Sequence, residues 1–174
     1  MFRLGPALAL ALAPTLAAAQ QAGTAQLIDD WQRNEHNVLA YIEAMPDSAT
    51  DFRPTPGVRT FAQQFDHIVS TNLDVATAVR GLSTPPTLGD SAQYLHSKSA
   101  LRAYAEATYA YMLATLRDAP AGALDRQISV YGGPTASAAR FVELSLEHSI
   151  WTLGQVVPYL RLNGATPPAY QIPF

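Results

Sequence analysis

The stretch Phe141-Val-Glu-Leu-Ser-Leu-Glu-His-Ser-Ile-Trp-Thr-Leu-Gly-Gln-Val-Val-Pro-Tyr-Leu-Arg-Leu162 is followed by Asn163-Gly164 and then by Pro167-Pro168. Apolar side chains return every three or four positions along it, the period of a helix with one buried face. An Asn-Gly pair backed by two prolines is a strong stop, because glycine accepts the left-handed backbone that ends a helix and proline cannot continue one. The spacing predicts a helix over 135–162, with a kink where Pro158 removes an amide donor and frees the Gly154 carbonyl. A helix of this length cannot bury its own apolar face, so its partners must lie upstream.

Three partners are legible. Ile28, Trp31, Val38, Ile42 and Met45 keep a 3-4 spacing up to Met45-Pro46, with Glu35 as the polar residue in that stripe. The proline-rich segment Asp51-Phe-Arg-Pro-Thr-Pro-Gly-Val58 then reads as ordered loop. Thr60-Phe-Ala-Gln63 has the form of a capping box, and Phe61, Phe65, Ile68, Val75 and Val79 carry the buried stripe of a second helix as far as Gly81. A third helix is expected over 97–118, with Leu101, Tyr104, Ala105, Thr108, Tyr111, Met112 and Leu116 inward, before Ala119-Pro120 ends it. Gly132-Gly133-Pro134 reads as a connector, and no run alternates in the manner of a strand. The fold class is all-α, a four-helix bundle.

The ends and the composition restrict what such a bundle can do. Arg3 followed by Leu4-Gly-Pro-Ala-Leu-Ala-Leu-Ala-Leu-Ala-Pro-Thr-Leu16 and Ala17-Ala-Ala19 has the pattern of a secretory signal peptide over 1–19, cut after Ala19, which leaves a single domain over 20–174. Its apolar core is interrupted by Pro14 and falls short of the ~20 residues a spanning helix needs, so no stable membrane insertion is expected after cleavage. The expected location is periplasmic or extracellular. The chain of 174 residues has 11 basic and 14 acidic side chains, a balance that does not suit nucleic acid. With no cysteine, a disulfide framework, a thiolate nucleophile and any Cys-held metal are excluded.

Chemistry therefore falls to histidine and the carboxylates. His67 lies beside Gln64, Thr71 and Asp74 on a polar stripe of the second helix. His148 shares the period of Phe141, Leu144, Trp151 and Gln155, which places it in the expected buried stripe of the fourth. An inward His there is either a hydrogen-bonded core residue or a ligand facing a His on a neighbouring helix, the way bundles build interior metal sites. Trp151, Tyr111, Tyr104 and Tyr159 either fill the core or line a pocket nearby. Arg161 suits a helix C-terminus, where a cation complements the dipole. Phosphate-cradling loops and nucleophile elbows are absent from the sequence.

The order and spacing of Tyr41-Ile-Glu-Ala-Met-Pro46, Asp51-Phe-Arg-Pro-Thr-Pro56, Arg59-Thr-Phe61, Asp66-His67, Glu147-His148 and Gly154-Gln-Val-Val-Pro-Tyr-Leu-Arg-Leu-Asn-Gly164-Ala-Thr-Pro-Pro168 closely resemble the DinB-like superfamily. The resemblance covers nearly all of 20–174. It implies an up-down-down-up bundle, a homodimer, and a divalent ion, zinc or nickel, held by one His on the second helix and an His-x-x-x-His pair on the fourth. Those positions are His67, His148 and 152, and position 152 is Thr152. A threonine hydroxyl one turn beyond His148 keeps the direction of the third ligand and loses its strength, so the implied ion is weakly bound. Glu35 is the first candidate to replace the missing nitrogen, ahead of His36 and His96.

The expected function is that of an exported protein with a degenerate His-based metal site that takes a small molecule or ion, its catalytic activity vestigial. Two alternatives come with the resemblance: a thiol-dependent transferase or a hydrolase using a metal-activated thiol or water, and a non-enzymatic binding or interaction protein. The absent third His and the scarcity of reduced cytosolic thiols outside the cytoplasm count against the thiol-dependent transferase.

Overall fold

The computed structural model describes residues 7–172. Helix α1 spans Ala7–Ala44, α2 Phe61–Val79, α3 is the short turn Ser91–Tyr94, α4 is Lys98–Arg117 and α5 Ala138–Leu162. Helix ends fall where the side chains can satisfy them. α1 stops before Pro46, and Thr60 and Gln63 form the expected capping box, with Gln63 N–H on Thr60 Oγ1 at 3.1 Å and Thr60 N–H on Gln63 Oε1 at 2.9 Å. Ser97 and Ser137 cap α4 and α5 through Ala100 N–H and Arg140 N–H. Gly164, at φ +72°, turns the chain so that Ala165 N–H reaches back to the Leu160 carbonyl at 3.0 Å.

The four long helices form a ring in which α1 touches α4 and α5, and α2 touches the same two. Side-chain pairs give the directions. Lys98 at the start of α4 donates to the Met45 carbonyl just past the end of α1, so α1 and α4 are antiparallel. Arg80 at the end of α2 donates to Thr115 near the end of α4 at 2.6 Å, so those two are parallel. α5 runs against α2, pairing Gln64 with Tyr159 and Asn72 with Ser145, and runs with α1. This is the up-down-down-up order. Parallel α2 and α4 require a connection that returns the length of the bundle, and residues 80–97 make it, with α3 on the way.

Trp31, Ile42, Phe61, Phe65, Ile68, Leu101, Met112, Leu116, Leu153 and Leu160 fill the core. At mid-height it turns polar. Tyr109 Oη donates to Asn34 Oδ1 at 2.5 Å, Ser145 Oγ to Asn72 Oδ1 at 2.7 Å, and Asn72 Nδ2 and Ser149 Oγ close the group around the tyrosine oxygen at 3.4 and 3.3 Å. One residue or more from each long helix takes part, and a buried polar group that is paired in only one arrangement disfavours slipped registers.

Four expectations need correction. Residues Gln127–Ser129 and Thr135–Ser137 pair as a two-stranded antiparallel ribbon, Ile128 opposite Ala136, where a plain connector was expected. Its three-residue strands are too short to show an alternating pattern. α5 consequently begins at Ala138, three residues later than predicted. The turn α3 was not foreseen. Most important, the buried stripe of α5 is Val142, Ser145, Ser149, Thr152, Val156 and Leu160, while Leu144, Trp151 and Gln155 are exposed. The expected period was right and the face was displaced by one residue, about 100° around the helix. Of the signal segment, residues 1–6 lie outside the described residues, and the rest continues α1 without a break. Among the described residues no helix is long and apolar enough to cross a membrane.

Candidate metal and ligand site

The groove between antiparallel α2 and α5 brings His67 and His148 together. Their Nε2 atoms are 3.0 Å apart and their rings meet edge to face, centroids 4.6 Å apart. At that distance one ring donates and the other accepts, so at least one must be neutral. Burial lowers the pKa of both; the Arg59 guanidinium lowers each further, and His148 adds to the effect on His67 while Asp66 opposes it. The pair is thus held in the form that can offer lone pairs at neutral pH. His148 Nδ1 is buried without a hydrogen-bond partner.

At the pair lies a cavity of about 370 Å³ lined by α5 residues Leu144, Glu147, Trp151, Thr152 and Gln155 and by Arg59. Thr152 is buried at 2% exposure and Trp151 is 73% exposed, so the cavity runs from the bundle surface inward to the threonine. Arg59 owes its place to the loop. Phe61 N–H bonds back to the Phe52 carbonyl at 2.8 Å, Ala62 N–H to the Thr50 carbonyl, and the Tyr159 hydroxyl donates to the Arg59 carbonyl at 2.9 Å. A larger hollow of about 630 Å³ between α1 and α5 is lined by Leu27, Leu146 and Ile150 with acidic residues at its rim, and contains no histidine.

The other sequence candidates lie elsewhere. Glu35 is half-buried on α1, the helix diagonal to α2, where burial and Glu106 raise its pKa and Arg117 lowers it. It does not line the cavity. His36 is exposed, and His96 pairs with Asp51 at 3.0 Å on the surface. Tyr104 and Tyr159 are core, Tyr111 is half-buried with the Arg80 guanidinium 4.5 Å above its ring, and Trp151 alone of the four lines the cavity. Arg161 is exposed in the last turn of α5. Sequence reasoning did not single out Arg59, Glu147 or Gln155 as site residues. Gln155 carries a signal nonetheless, since it shares the period of His148, a period that in the sequence alone reads as core.

The bundle has counterparts among known proteins. The sequence pattern of the DinB superfamily matches residues 30–156. The chain belongs to the DinB superfamily. Solved structures agree on the fold: a DinB-like protein from Bacillus subtilis superposes with a TM-score of 0.67 at 19% identity, over 84% of this chain and 97% of that one. A DinB-like protein from Bacillus cereus gives 0.69 at 17% identity, over 83% and 95%. No curated protein matches the chain.

DinB-superfamily proteins are generally metal-associated, and the donor set here meets that chemistry in part. Two imidazole nitrogens on one zinc, each at about 2.0–2.1 Å in a tetrahedral arrangement, stand about 3.3 Å apart. The 3.0 Å between His67 and His148 is within a small ring movement of that value. The count of strong ligands falls short. Among the described residues no group of three or more His, Asp or Glu is placed to hold an ion, and the third position holds the Thr152 hydroxyl.

Proposed function

We propose that this DinB-superfamily chain is an exported protein that holds a divalent ion weakly between His67 and His148, with the Thr152 hydroxyl as the third donor, and takes a small molecule in the cavity above them. The convergence of the two Nε2 atoms across α2 and α5 carries this reading. Their lowered pKa values support it, because histidine must be unprotonated to ligate. Zinc and nickel are the ions the donor set suits, imidazole being a good ligand for both. Two nitrogens and an alcohol make a weaker site than the three strong ligands usual for a catalytic zinc. That shortfall favours ion and ligand binding over turnover, and leaves a non-enzymatic binding protein as the second reading. Metal uptake by protein prepared without chelator tests the site: His67→Ala and His148→Ala each abolish zinc retention in equilibrium dialysis, and His96→Ala retains it. Equal zinc in wild type and in the double His67/His148 variant overturns the proposal.

A further inference from the structure

The wall of the cavity has a charge and an aromatic surface that the histidine pair does not use. Arg59 projects from the residue before the α2 cap, its backbone fixed by the Tyr159 hydroxyl. The ion pairs among the described residues engage Arg33, His96, Lys98, Arg102 and Arg140, and Arg59 takes part in none of them. Its charge nonetheless reaches both imidazoles. In the same lining, Trp151 leaves 73% of its surface to solvent and Leu144 leaves 38%, and Gln155 lies one turn beyond Trp151 along α5. Glu147 is the single carboxylate among the residues lining the cavity; it also borders the larger hollow on the other side of α5, which puts it on the ridge between the two.

We infer that the cavity takes a small monocarboxylate with a flat apolar body, its carboxylate docked on the Arg59 guanidinium and its body laid on the Trp151 indole against Leu144. Arginine presents a planar fork of donors that matches a carboxylate, and an indole offers a large flat apolar surface for a ring. A volume of about 370 Å³ suits a ligand of roughly the size of a substituted benzoate, given that small-molecule pockets run from about 300 Å³ upward. Glu147 on the ridge disfavours a second negative charge at the outer end of the ligand, which selects monoanions over dianions. The inference rests on the small-molecule part of the proposed function and needs no bound ion.

Chelator-treated protein separates the two. Benzoate and the neutral benzyl alcohol are titrated into it at fixed ionic strength, with binding followed by heat and by the fluorescence of Trp151; Trp31 is buried and stays constant. Wild type is expected to prefer benzoate by about fivefold or more, the range a charge-assisted contact supplies at a partly exposed site. Arg59→Gln brings the ratio to within about twofold of unity, Trp151→Ala weakens both probes, and Arg102→Gln changes neither. Equal binding of the two probes by wild type, an unchanged preference in Arg59→Gln, or no binding of either probe overturns the inference. Because the titration contains no metal, these results stand whether or not His67 and His148 hold an ion, and zinc dialysis of the same variants reports on that separately.

Discussion

At the scale of single residues, Thr152 sets the limit on the site. It lines the cavity one turn after His148 and is buried, so a replacement there meets both the proposed ion position and the core. Thr152→His supplies a third nitrogen on the same helix face. Without metal the larger ring costs about 1–3 kcal/mol as overpacking, and the melting temperature falls. With zinc or nickel at about a hundred times the dissociation constant the ion returns about 2.7 kcal/mol, so the metal-induced rise in melting temperature is much larger than in wild type. An equal rise in wild type would mean that another donor already completes the site. The histidine pair also makes an expectation about pH. Both pKa values are lowered in the folded protein, so between the ordinary value of about 6.5 and the folded values the unfolded chain binds more protons than the native one. Metal-free protein should therefore keep full stability above about pH 6.5 and lose it progressively as the pH falls below. Melting curves from pH 8 to pH 5 check this, and the double variant His67→Gln/His148→Gln should show a shallower decline.

Among the helices, the best-read boundary is also the one that matters most for the site. The capping box at Thr60 and Gln63 was visible because both bonds are local, made by residues three apart. Thr60→Ala removes the hydroxyl that accepts from the Gln63 backbone N–H and should cost about 1 kcal/mol in a denaturant titration; since Arg59 precedes the cap, any benzoate preference should weaken with it. Thr60→Ser, which keeps the hydroxyl, should restore most of both. The face of α5 was harder to read. Leu144, His148, Trp151 and Gln155 share a period, and so do Val142, Ser145, Ser149, Thr152 and Val156; hydrophobicity favoured the first set, which has the tryptophan. What reversed the choice is nonlocal. Ser145 and Ser149 face inward because Asn72 and Tyr109 on other helices pair with them, and no arithmetic on one helix contains those partners. The same holds for Glu35, whose distance from His67 follows from which helices are diagonal.

For the whole molecule, the all-helical class and the order of helices were legible from period, caps and stops, and from the motifs that resemble the family. The ribbon and α3 were not, being too short for any periodicity to register. The proposed export concerns the whole chain: mature protein from the native host should begin at Gln20, and intact-mass measurement of the exported fraction decides it. Full-length chain retained in the cytoplasm would restore the reading in which a cytosolic thiol is the co-substrate. The diagonal placement of α1 and α2 bears on how such a chain is made. Helices adjacent in sequence usually zip into a hairpin as soon as both exist, but here the first long helix waits for α4, more than fifty residues after its own last residue, before it has a neighbour to pack on. Its earliest contacts span a long loop and carry the corresponding closure entropy, which slows folding relative to an up-down-up-down bundle of equal stability. In a chain so wired neither α1 nor α2 has its helix neighbours until α4 has been made, an order compatible with the proposed export through a narrow pore.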